Sequence, residues 1–235
     1  MGLKFWKLGR KSAKPSIETL RWYTKGILPG DHCLVIGGTS ISIIREAEKK
    51  VGNVVVADFS EVICRELKQY VSNNVTVINS DILQAPADWN NRFHFVFADT
   101  LINRFDWEEA KQFSKEIFRI LRPGGQIRTT VKIGLYPMDK KLIEIAGEEA
   151  KTFWDEKSQT IVFSKAEKWL ERGLVAHGSI SKKDLLVWYT NRGREKRYSL
   201  DDLKILFDHT GWINFHTEKD YLSKDRVRLV VTKQG

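Results

Sequence analysis

Two short apolar runs constrain what this chain can fold into more than any other feature of its sequence. The first covers residues 33–36 and ends in the glycine pair Gly37 and Gly38. The second covers residues 54–57 and ends in Asp58, 21 positions after Gly37. In βαβ units that bind nucleotides, a glycine turn lets the backbone approach the ligand, and a carboxylate about 20 residues later accepts hydrogen bonds from ribose hydroxyls. The spacing therefore predicts a βαβ unit for an adenosine-type ligand.

The alternation of strand and helix signals continues along the chain. Apolar residues spaced by three and four predict helices, and short apolar runs predict strands. The predicted order is helix 15–27, strand 32–36, helix 41–50, strand 53–58, helix 61–72, strand 75–79, strand 93–98, helix 107–121 and strand 126–133, with further strands at 212–217 and 227–232. Strands that alternate with helices pair in parallel through right-handed crossovers. We therefore expect a Rossmann-like, doubly wound α/β fold with a mostly parallel seven-stranded sheet.

Polar or glycine residues stand where five of these strands end. They are Gly37, Asp58, Asp81, Asp99 and Lys132. Ligands of open α/β sheets bind beyond the carboxyl ends of the strands. The five positions are therefore candidates for a ligand site at one edge of the sheet.

Taken in order, these segments resemble the class I S-adenosylmethionine-dependent methyltransferases over about residues 30–133 and the last forty residues. The Leu-Arg-Pro-Gly-Gly turn at 121–125 lies where that family turns into its fifth strand. The resemblance implies S-adenosyl-L-methionine as cofactor, S-adenosyl-L-homocysteine as product, and an antiparallel C-terminal strand pair. The cofactor-binding residues that it implies are Gly37, Gly38, Thr39, Asp58 for the ribose, Phe59, Ser80, Asp81 and Ile82 for the adenine, Asp99, and Tyr23 for the methionine carboxylate.

The first motif departs from the pattern of that family, which is an acid followed by three alternating glycines. Val35 replaces the acid, Thr39 the second glycine and Ile41 the third. The Thr39 hydroxyl can still donate to a ligand, but the amino group of the cofactor has one anchor fewer. A non-catalytic binding protein that has lost the cofactor is therefore one alternative.

The domain organisation follows from a break in the alternation. Residues 1–30 form a basic N-terminal segment with a lead-in helix, and residues 31–235 form the methyltransferase domain. An insertion at 134–198, with a charged helix predicted near 138–155, interrupts this domain and, in the family, commonly forms a cap over the substrate. After it, Ser199 as N-cap and Asp202 three positions later predict a capping box at the start of a helix.

Three residues are candidates for catalysis. Methyl transfer from a sulfonium is an in-line displacement, in which alignment matters most and a positioned base assists a hydroxyl or ammonium acceptor. Asp99 closes the fourth strand, where related enzymes often place a residue that faces cofactor and acceptor. Lys132 closes the fifth, and His177 is the only histidine of the insertion. Each has a structural alternative: Asp99 as a loop cap, Lys132 as a solvent-facing strand end, and His177 as a surface residue.

The net charge of +9 is concentrated in two stretches. Residues 1–30 hold seven Lys and Arg against one acid, and residues 182–197 hold six against two. Such patches bind nucleic acid or other anions, or are simply solvated. Asp99 and Lys132 are similar to two members of the Lys-Asp-Lys-Glu tetrad of RNA ribose 2′-O-methyltransferases, although Val227 stands where its glutamate is expected. RNA 2′-O-methylation, with RNA bound by the basic patches, is therefore an alternative function.

Composition argues against several other classes. Two cysteines are too few for a disulfide framework or a cysteine-based zinc site, so no metal is expected. No apolar run approaches the about 18 residues of a membrane span, so a cytoplasmic protein is expected, as a monomer or homodimer. The Asn/Asp-Pro-Pro-aromatic motif of nucleic-acid amino methyltransferases is absent. The sequence favours methyl transfer to nitrogen or oxygen of a small-molecule acceptor, in specialised metabolism such as natural product biosynthesis.

Overall fold

The computed structural model of the protein describes residues 14–175, 180–208, 211–221 and 223–235. Its strands are β1 (Cys33–Ile36), β2 (Val54–Asp58), β3 (Val75–Asn79), β4 (Phe93–Asp99), β5 (Leu121–Lys132), β6 (Trp154–Asp155), β7 (Thr160–Val162), β8 (Arg194–Lys196), β9 (Trp212–Lys219) and β10 (Arg226–Lys233). Its α-helices are α1 (Ile17–Tyr23), α2 (Ile41–Val51), α3 (Glu61–Leu67), α4 (Trp107–Ile120), α5 (Pro137–Ala146), α6 (Glu167–Gly173), α7 (Lys182–Thr190) and α8 (Leu200–Leu206). Short 3-10 helices cover Ile82–Gln84, Ala87–Trp89, Ile102–Arg104, Gly147–Thr152 and Phe163–Ala166.

Seven of the strands form one sheet, in the order β3-β2-β1-β4-β5-β10-β9. The first five of these are parallel to one another. Strand β10 runs antiparallel to both β5 and β9. The prediction of a Rossmann-like, mostly parallel seven-stranded sheet with an antiparallel C-terminal strand is confirmed.

The two faces of this sheet are covered by different helices, because successive side chains of a strand point to opposite faces. From β1, Cys33 and Val35 join the core on the face of α1 and α2. Leu34 and Ile36 join the core on the face of α4 and α8. All four are buried, which explains why the strand is a continuous apolar run in the sequence.

Capping residues fix several helix starts as the sequence indicates. The capping box expected at Ser199 and Asp202 is confirmed: the Ser199 hydroxyl accepts from the Asp202 amide at 3.0 Å, and the Asp202 carboxylate accepts from the Ser199 amide at 2.8 Å. In α3, the Ser60 hydroxyl accepts from the Ile63 amide. This cap begins α3 directly after the end of β2, so it orients the chain at the carboxyl edge of the sheet.

Three predicted helices are shorter than the sequence pattern indicates. The helix predicted at 15–27 is α1, which covers only Ile17–Tyr23. The helix predicted at 138–155 ends at Ala146, because Gly147 takes a φ of +56° and the chain continues as a 3-10 helix. The helix predicted at 61–72 ends as α3 at Leu67.

Between β5 and α8, the described residues form three α-helices, two 3-10 helices and a second sheet, in the order β6-β7-β8. This segment, residues 134–198, is called the insertion below, and it has a core of its own that includes Phe153, Phe163 and Trp169. The wholly buried Asn103 fastens it to the main sheet, donating to the carbonyls of Lys132 and Lys196 at 3.0 and 2.9 Å. The insertion is thereby held at the carboxyl end of β5. Within the part of the chain that the structure describes, no helix has the length and apolar character needed to cross a membrane.

Candidate active site

The carboxyl ends of the parallel strands meet at one edge of the sheet. Gly37 follows β1, while Asp58, Asp99 and Lys132 are the last residues of β2, β4 and β5. Because β1 pairs with β2 and β4, and β4 pairs with β5, these positions lie along one edge. Open α/β sheets bind their ligands there, so this edge is the candidate active site.

The turn after β1 requires glycine twice, for two different reasons. Gly37 has a φ of +95°, in the left-handed region where a side chain is strained. At Gly38, a Cβ atom would lie 2.6 Å from Ile63 Cγ2 of α3. The Gly38 amide donates to Asp58 Oδ2 at 2.7 Å. The two glycines therefore bring the turn into direct contact with the carboxylate that ends β2.

Asp58 is held in one orientation by backbone amides. Its Oδ2 accepts from Gly38, and its Oδ1 accepts from the Ser60 amide at 2.8 Å. A carboxylate oxygen can accept more than one hydrogen bond, so both Asp58 oxygens keep a lone pair for a ligand hydroxyl. The adjacent Phe59 is 79% exposed, and Thr39 of the glycine turn is also exposed. A fixed carboxylate beside an exposed aromatic ring suits a ligand that combines hydroxyl groups with a flat ring.

The segment predicted to bind adenine is held against the end of β2. The Ser80 amide donates to the Asp58 carbonyl at 3.0 Å. Asp81 is exposed, and its Oδ1 accepts from the Leu83 amide at 2.9 Å. Ile82 is buried in the core. The segment therefore presents an acid at the surface next to the Asp58 backbone.

Asp99 is oriented by two hydroxyl groups. Its Oδ1 accepts from Thr130 Oγ1 at 2.5 Å and from the Tyr23 hydroxyl at 3.4 Å, which also lies 3.2 Å from the Ala98 carbonyl. Tyr23 has no exposed surface, and burial together with the charge of Asp99 raises its pKa well above the usual value, so it remains a neutral donor. Among the described residues, no hydrogen bond is made to Asp99 Oδ2. Tyr23 thus orients Asp99, and the second carboxylate oxygen is available to a ligand.

Helix α1, which carries Tyr23, is anchored by a buried arginine that the sequence pattern did not reveal. Arg128 of β5 donates to the carbonyls of Trp22, Tyr23 and Lys25 at 3.1, 2.7 and 2.7 Å. Burial lowers its pKa to about 10. These carbonyls lie at the end of α1 and just beyond it, where few backbone amides are left to donate to them, which is why a cation stabilises them. Arg128 therefore positions Tyr23 and, through it, Asp99.

A buried network of charges lies at the end of β5, where the insertion meets the sheet. Glu195 has no exposed surface, and its Oε2 accepts from Lys132 Nζ at 3.2 Å and from Arg197 at 2.7 Å. Asp139 of α5 accepts two hydrogen bonds from Arg197, at 2.6 and 3.0 Å. Burial would raise the pKa of Glu195, but the charges of Arg192, Lys132 and Arg197 outweigh it and hold this pKa well below its usual value. Glu195 is therefore ionised and ties the insertion to β5.

Of this network, sequence reasoning singled out Lys132 alone. Glu195 lies within a stretch that looked like a basic surface patch, and Asp139 within a charged helix. Their pairings join residues 63 and 58 positions apart. No local spacing signals a contact of that range.

The basic stretch at 182–197 is partly used within the chain. Arg192 and Arg197 bind Glu195, and Arg194 donates to the carboxylates of Asp106 and Glu109 at the start of α4. These three arginines already bind carboxylates of the same chain, so they are less available to bind a nucleic acid.

The remaining candidates from the sequence, and a groove on the insertion, do not add to the site at the strand ends. His177 and residues 1–13 of the basic N-terminal segment are outside them. An open groove on the insertion is lined by residues of 147–157 and by none of the strand-end residues. The described ranges contain no group of three or more His, Cys, Asp or Glu side chains placed to hold a metal ion.

Known proteins share both the sequence pattern and the fold of this chain. A family model for a methyltransferase domain matches residues 34–125. A Rhodobacter sphaeroides crystal structure shares 31% identity over 99% of this chain and 95% of its own, with a TM-score of 0.91. Residues 34–125 thus match a methyltransferase domain, and the chain has the fold of S-adenosylmethionine-dependent methyltransferases.

Two structures of lower identity share this fold. A Methanosarcina mazei SAM-dependent methyltransferase has a TM-score of 0.60 at 13% identity, over 94% of this chain and 99% of its own. A Listeria monocytogenes protein, named as an S-adenosylmethionine-dependent methyltransferase, has a TM-score of 0.60 at 15% identity, over 97% and 100%. The Rhodobacter protein is named as a Zn-dependent alcohol dehydrogenase, a name that concerns that protein. No curated protein matches the sequence.

Proposed function

We propose that this methyltransferase transfers the methyl group of S-adenosyl-L-methionine to a nitrogen or oxygen atom of a small molecule, in specialised metabolism. The observation that carries the proposal is the fastening of the insertion at the end of β5, beside Asp99. Asn103 and the Lys132–Glu195 pair hold the insertion there, at 2.9–3.0 Å and 3.2 Å. A segment fixed over this part of the edge limits the size of an acceptor that reaches Asp99.

The residues at the ends of β1, β2 and β3 fit the cofactor. The Asp58 carboxylate, fixed by two amides, has oxygen lone pairs for the two ribose hydroxyls. The exposed ring of Phe59 offers a face for the adenine, and the exposed carboxylate of Asp81 offers an acceptor for its amino group. When bound, the cofactor supplies an electrophilic methyl group on a sulfonium.

Asp99 is the residue proposed to meet the acceptor. Thr130 and Tyr23 both donate to Oδ1, so the carboxylate cannot rotate freely and Oδ2 keeps one direction. That oxygen can accept the proton of an acceptor N–H or O–H and hold the nucleophilic atom in line. Orientation of this kind is the main contribution that a displacement reaction needs from the protein.

The RNA 2′-O-methyltransferase alternative finds less support at the same edge. Lys132 is paired with Glu195 from the insertion rather than open to a nucleic acid. Val227, which stands where that class has a glutamate, is buried and pairs with Val131 in the sheet. Both features favour a small acceptor.

Calorimetric titration of S-adenosyl-L-homocysteine into the purified protein tests the proposal. We expect a dissociation constant in the micromolar range, which corresponds to about −8 kcal/mol. Asp58→Ala should weaken binding by about 1–3 kcal/mol, because the amides and ribose hydroxyls lose their acceptor. Asp88→Ala is the matched control, since Asp88 is exposed and, among the described residues, its side chain pairs with the exposed Arg92. Unchanged affinity in Asp58→Ala would refute the ribose assignment, and absence of binding to the wild type would favour the non-catalytic alternative.

A further inference from the structure

The network at the end of β5 carries more positive than negative charge. Its two carboxylates are those of Glu195 and Asp139. Four cations surround them: Lys132, Arg197, Arg192, which donates to Glu195, and Arg104, whose nitrogen lies 3.7 Å from Glu195 Oε1. The cluster as described therefore has two positive charges without a carboxylate partner of their own.

The cluster is layered from inside to outside. The side chains of Glu195, Arg197 and Asp139 are at most 2% exposed and form its floor. The side chains of Lys132, Arg192 and Arg104 are 14%, 17% and 34% exposed, in that order. The excess positive charge thus lies on the side that a ligand can reach.

The exposed layer is under electrostatic strain. Burial, and then the charge of Arg192, lower the pKa of Lys132 to about 8. Burial and Arg192 also lower the pKa of Arg104. Partly buried like charges are costly unless an anion neutralises them. A ligand anion would relieve this repulsion, whereas a purely structural network could be balanced with fewer cations.

The cluster adjoins Asp99 along the sheet. Asp99 pairs with Thr130 of β5 and binds its hydroxyl. Lys132 lies two residues further along β5, so its side chain is on the same face of the strand, roughly 7 Å beyond. Two aromatic rings lie beside the cluster. Lys132 Nζ is 4.9 Å from the centre of the Tyr136 ring, and Arg192 Cζ is 4.2 Å from the centre of the Trp188 ring.

We infer that Lys132, Arg192 and Arg104 form a subsite for an anionic group of the acceptor, a carboxylate or phosphate monoester, with the aromatic rings beside its uncharged part. This inference rests on the proposed function, because it places the acceptor next to Asp99. The methionine carboxylate of the cofactor has the same chemistry, so the test must separate the two sources.

Sulfate is a suitable probe, because it is a divalent anion that does not titrate near neutral pH. It is titrated into the protein at low ionic strength, with and without saturating S-adenosyl-L-homocysteine. We expect saturable sulfate binding. S-adenosyl-L-homocysteine should change the sulfate affinity by no more than about twofold, since the two sites are separate. Arg104→Gln should weaken sulfate binding by about tenfold, the loss of one charge-assisted contact. Arg104→Lys, which keeps the charge, should restore part of it.

Arg194→Gln is the matched control. It removes the same charge from the neighbouring insertion strand, where Arg194 binds Asp106 and Glu109 outside the cluster. We expect it to change sulfate affinity by less than about twofold. Equal weakening in Arg104→Gln and Arg194→Gln would show general charge attraction and overturn the subsite.

Four other results of the titrations would each decide what the cluster binds. Competition between sulfate and S-adenosyl-L-homocysteine would assign the cluster to the carboxylate of the cofactor and overturn the acceptor assignment. Displacement of sulfate by a short single-stranded RNA would overturn it in favour of a nucleic-acid ligand. No sulfate binding, with normal S-adenosyl-L-homocysteine binding, would leave the cluster as a fastening of the insertion while the methyltransferase proposal stands. Sulfate binding without S-adenosyl-L-homocysteine binding would instead refute the proposed function.

Discussion

The two ends of the candidate active site are built by different means. At the ends of β1 and β2, backbone amides fix one carboxylate: Gly38 and Ser60, 20 and 2 positions from Asp58, donate to its two oxygens. At the end of β5, side chains bind side chains, and Lys132 and Glu195 meet across 63 positions. The first end depends on local turn geometry, and the second on how the insertion packs.

This difference decides what a substitution does at each end. At the glycine turn, almost any side chain disturbs the backbone, so the site tolerates few residue types. At the β5 end, the backbone tolerates other residues, but a single lost charge leaves its buried partners uncompensated. This difference agrees with the proposal that the first end binds the cofactor and the second the acceptor.

The largest effect is expected from Arg197→Met, which removes the cation shared by the two buried carboxylates. Arg197 and Asp139 are at most 2% exposed in their side chains. Removing one partner of such a buried pair costs about 3–5 kcal/mol, because the other charge stays buried and unpaired. Urea denaturation would measure the free energy of unfolding.

Arg194→Met serves as the control, because its pairs with Asp106 and Glu109 are exposed and contribute about 0–1 kcal/mol. Similar losses in Arg194→Met and Arg197→Met would contradict the distinction between a buried network and surface pairs.

The first end of the site is also the one that the sequence predicts. Gly37, Gly38 and Asp58 are marked by apolar runs that end abruptly, and the structure brings these residues together as their spacing indicates. The first four strands of the sheet follow in the same way, because β1, β2, β3 and β4 are each a mainly apolar run in the sequence. Local signals were sufficient wherever the chain builds structure from neighbouring residues.

The second end was not predictable beyond Lys132 itself. Nothing near Glu195 or Asp139 in the sequence indicates that their partners are Lys132 at the end of β5 and Arg197 directly after β8, since an ion pair has no required spacing. Arg128 was missed for a related reason: a cation inside a buried strand is exceptional, and its carbonyl partners belong to α1, more than a hundred positions earlier. Such contacts depend on the assembled fold.

A smaller effect is expected from Gly38→Ala, which tests whether packing or backbone conformation sets the glycine turn. The added Cβ would lie 2.6 Å from Ile63 Cγ2, so the turn and α3 must move apart. Overpacking of this kind costs about 1–3 kcal/mol in the free energy of unfolding. It should also weaken S-adenosyl-L-homocysteine binding, because the Gly38 amide then leaves Asp58.

The double variant Gly38→Ala with Ile63→Ala removes the obstructing methyl group. We expect it to recover affinity relative to Gly38→Ala alone, with a coupling energy of about 1 kcal/mol. Additive losses in this cycle would place the requirement for glycine in the backbone rather than in the contact with α3.

The smallest effect is expected from pH, and it concerns the β5 end alone. Burial and the facing charges of Arg192 and Arg197 lower the pKa of Lys132, which Glu195 and Asp139 only partly oppose, so it lies at about 8. Below that pH the lysine is charged and attracts sulfate, and above it one cation of the subsite is lost. Affinity for sulfate should therefore fall by about fivefold as the pH rises through 8.

In Lys132→Met the sulfate affinity should not change over the same pH range, because burial raises the pKa of the adjacent Tyr136 to about 12, beyond this range. A wild-type affinity that is equally flat would exclude Lys132 from the subsite and leave Arg104 and Arg192 as the groups that bind the acceptor's anionic group.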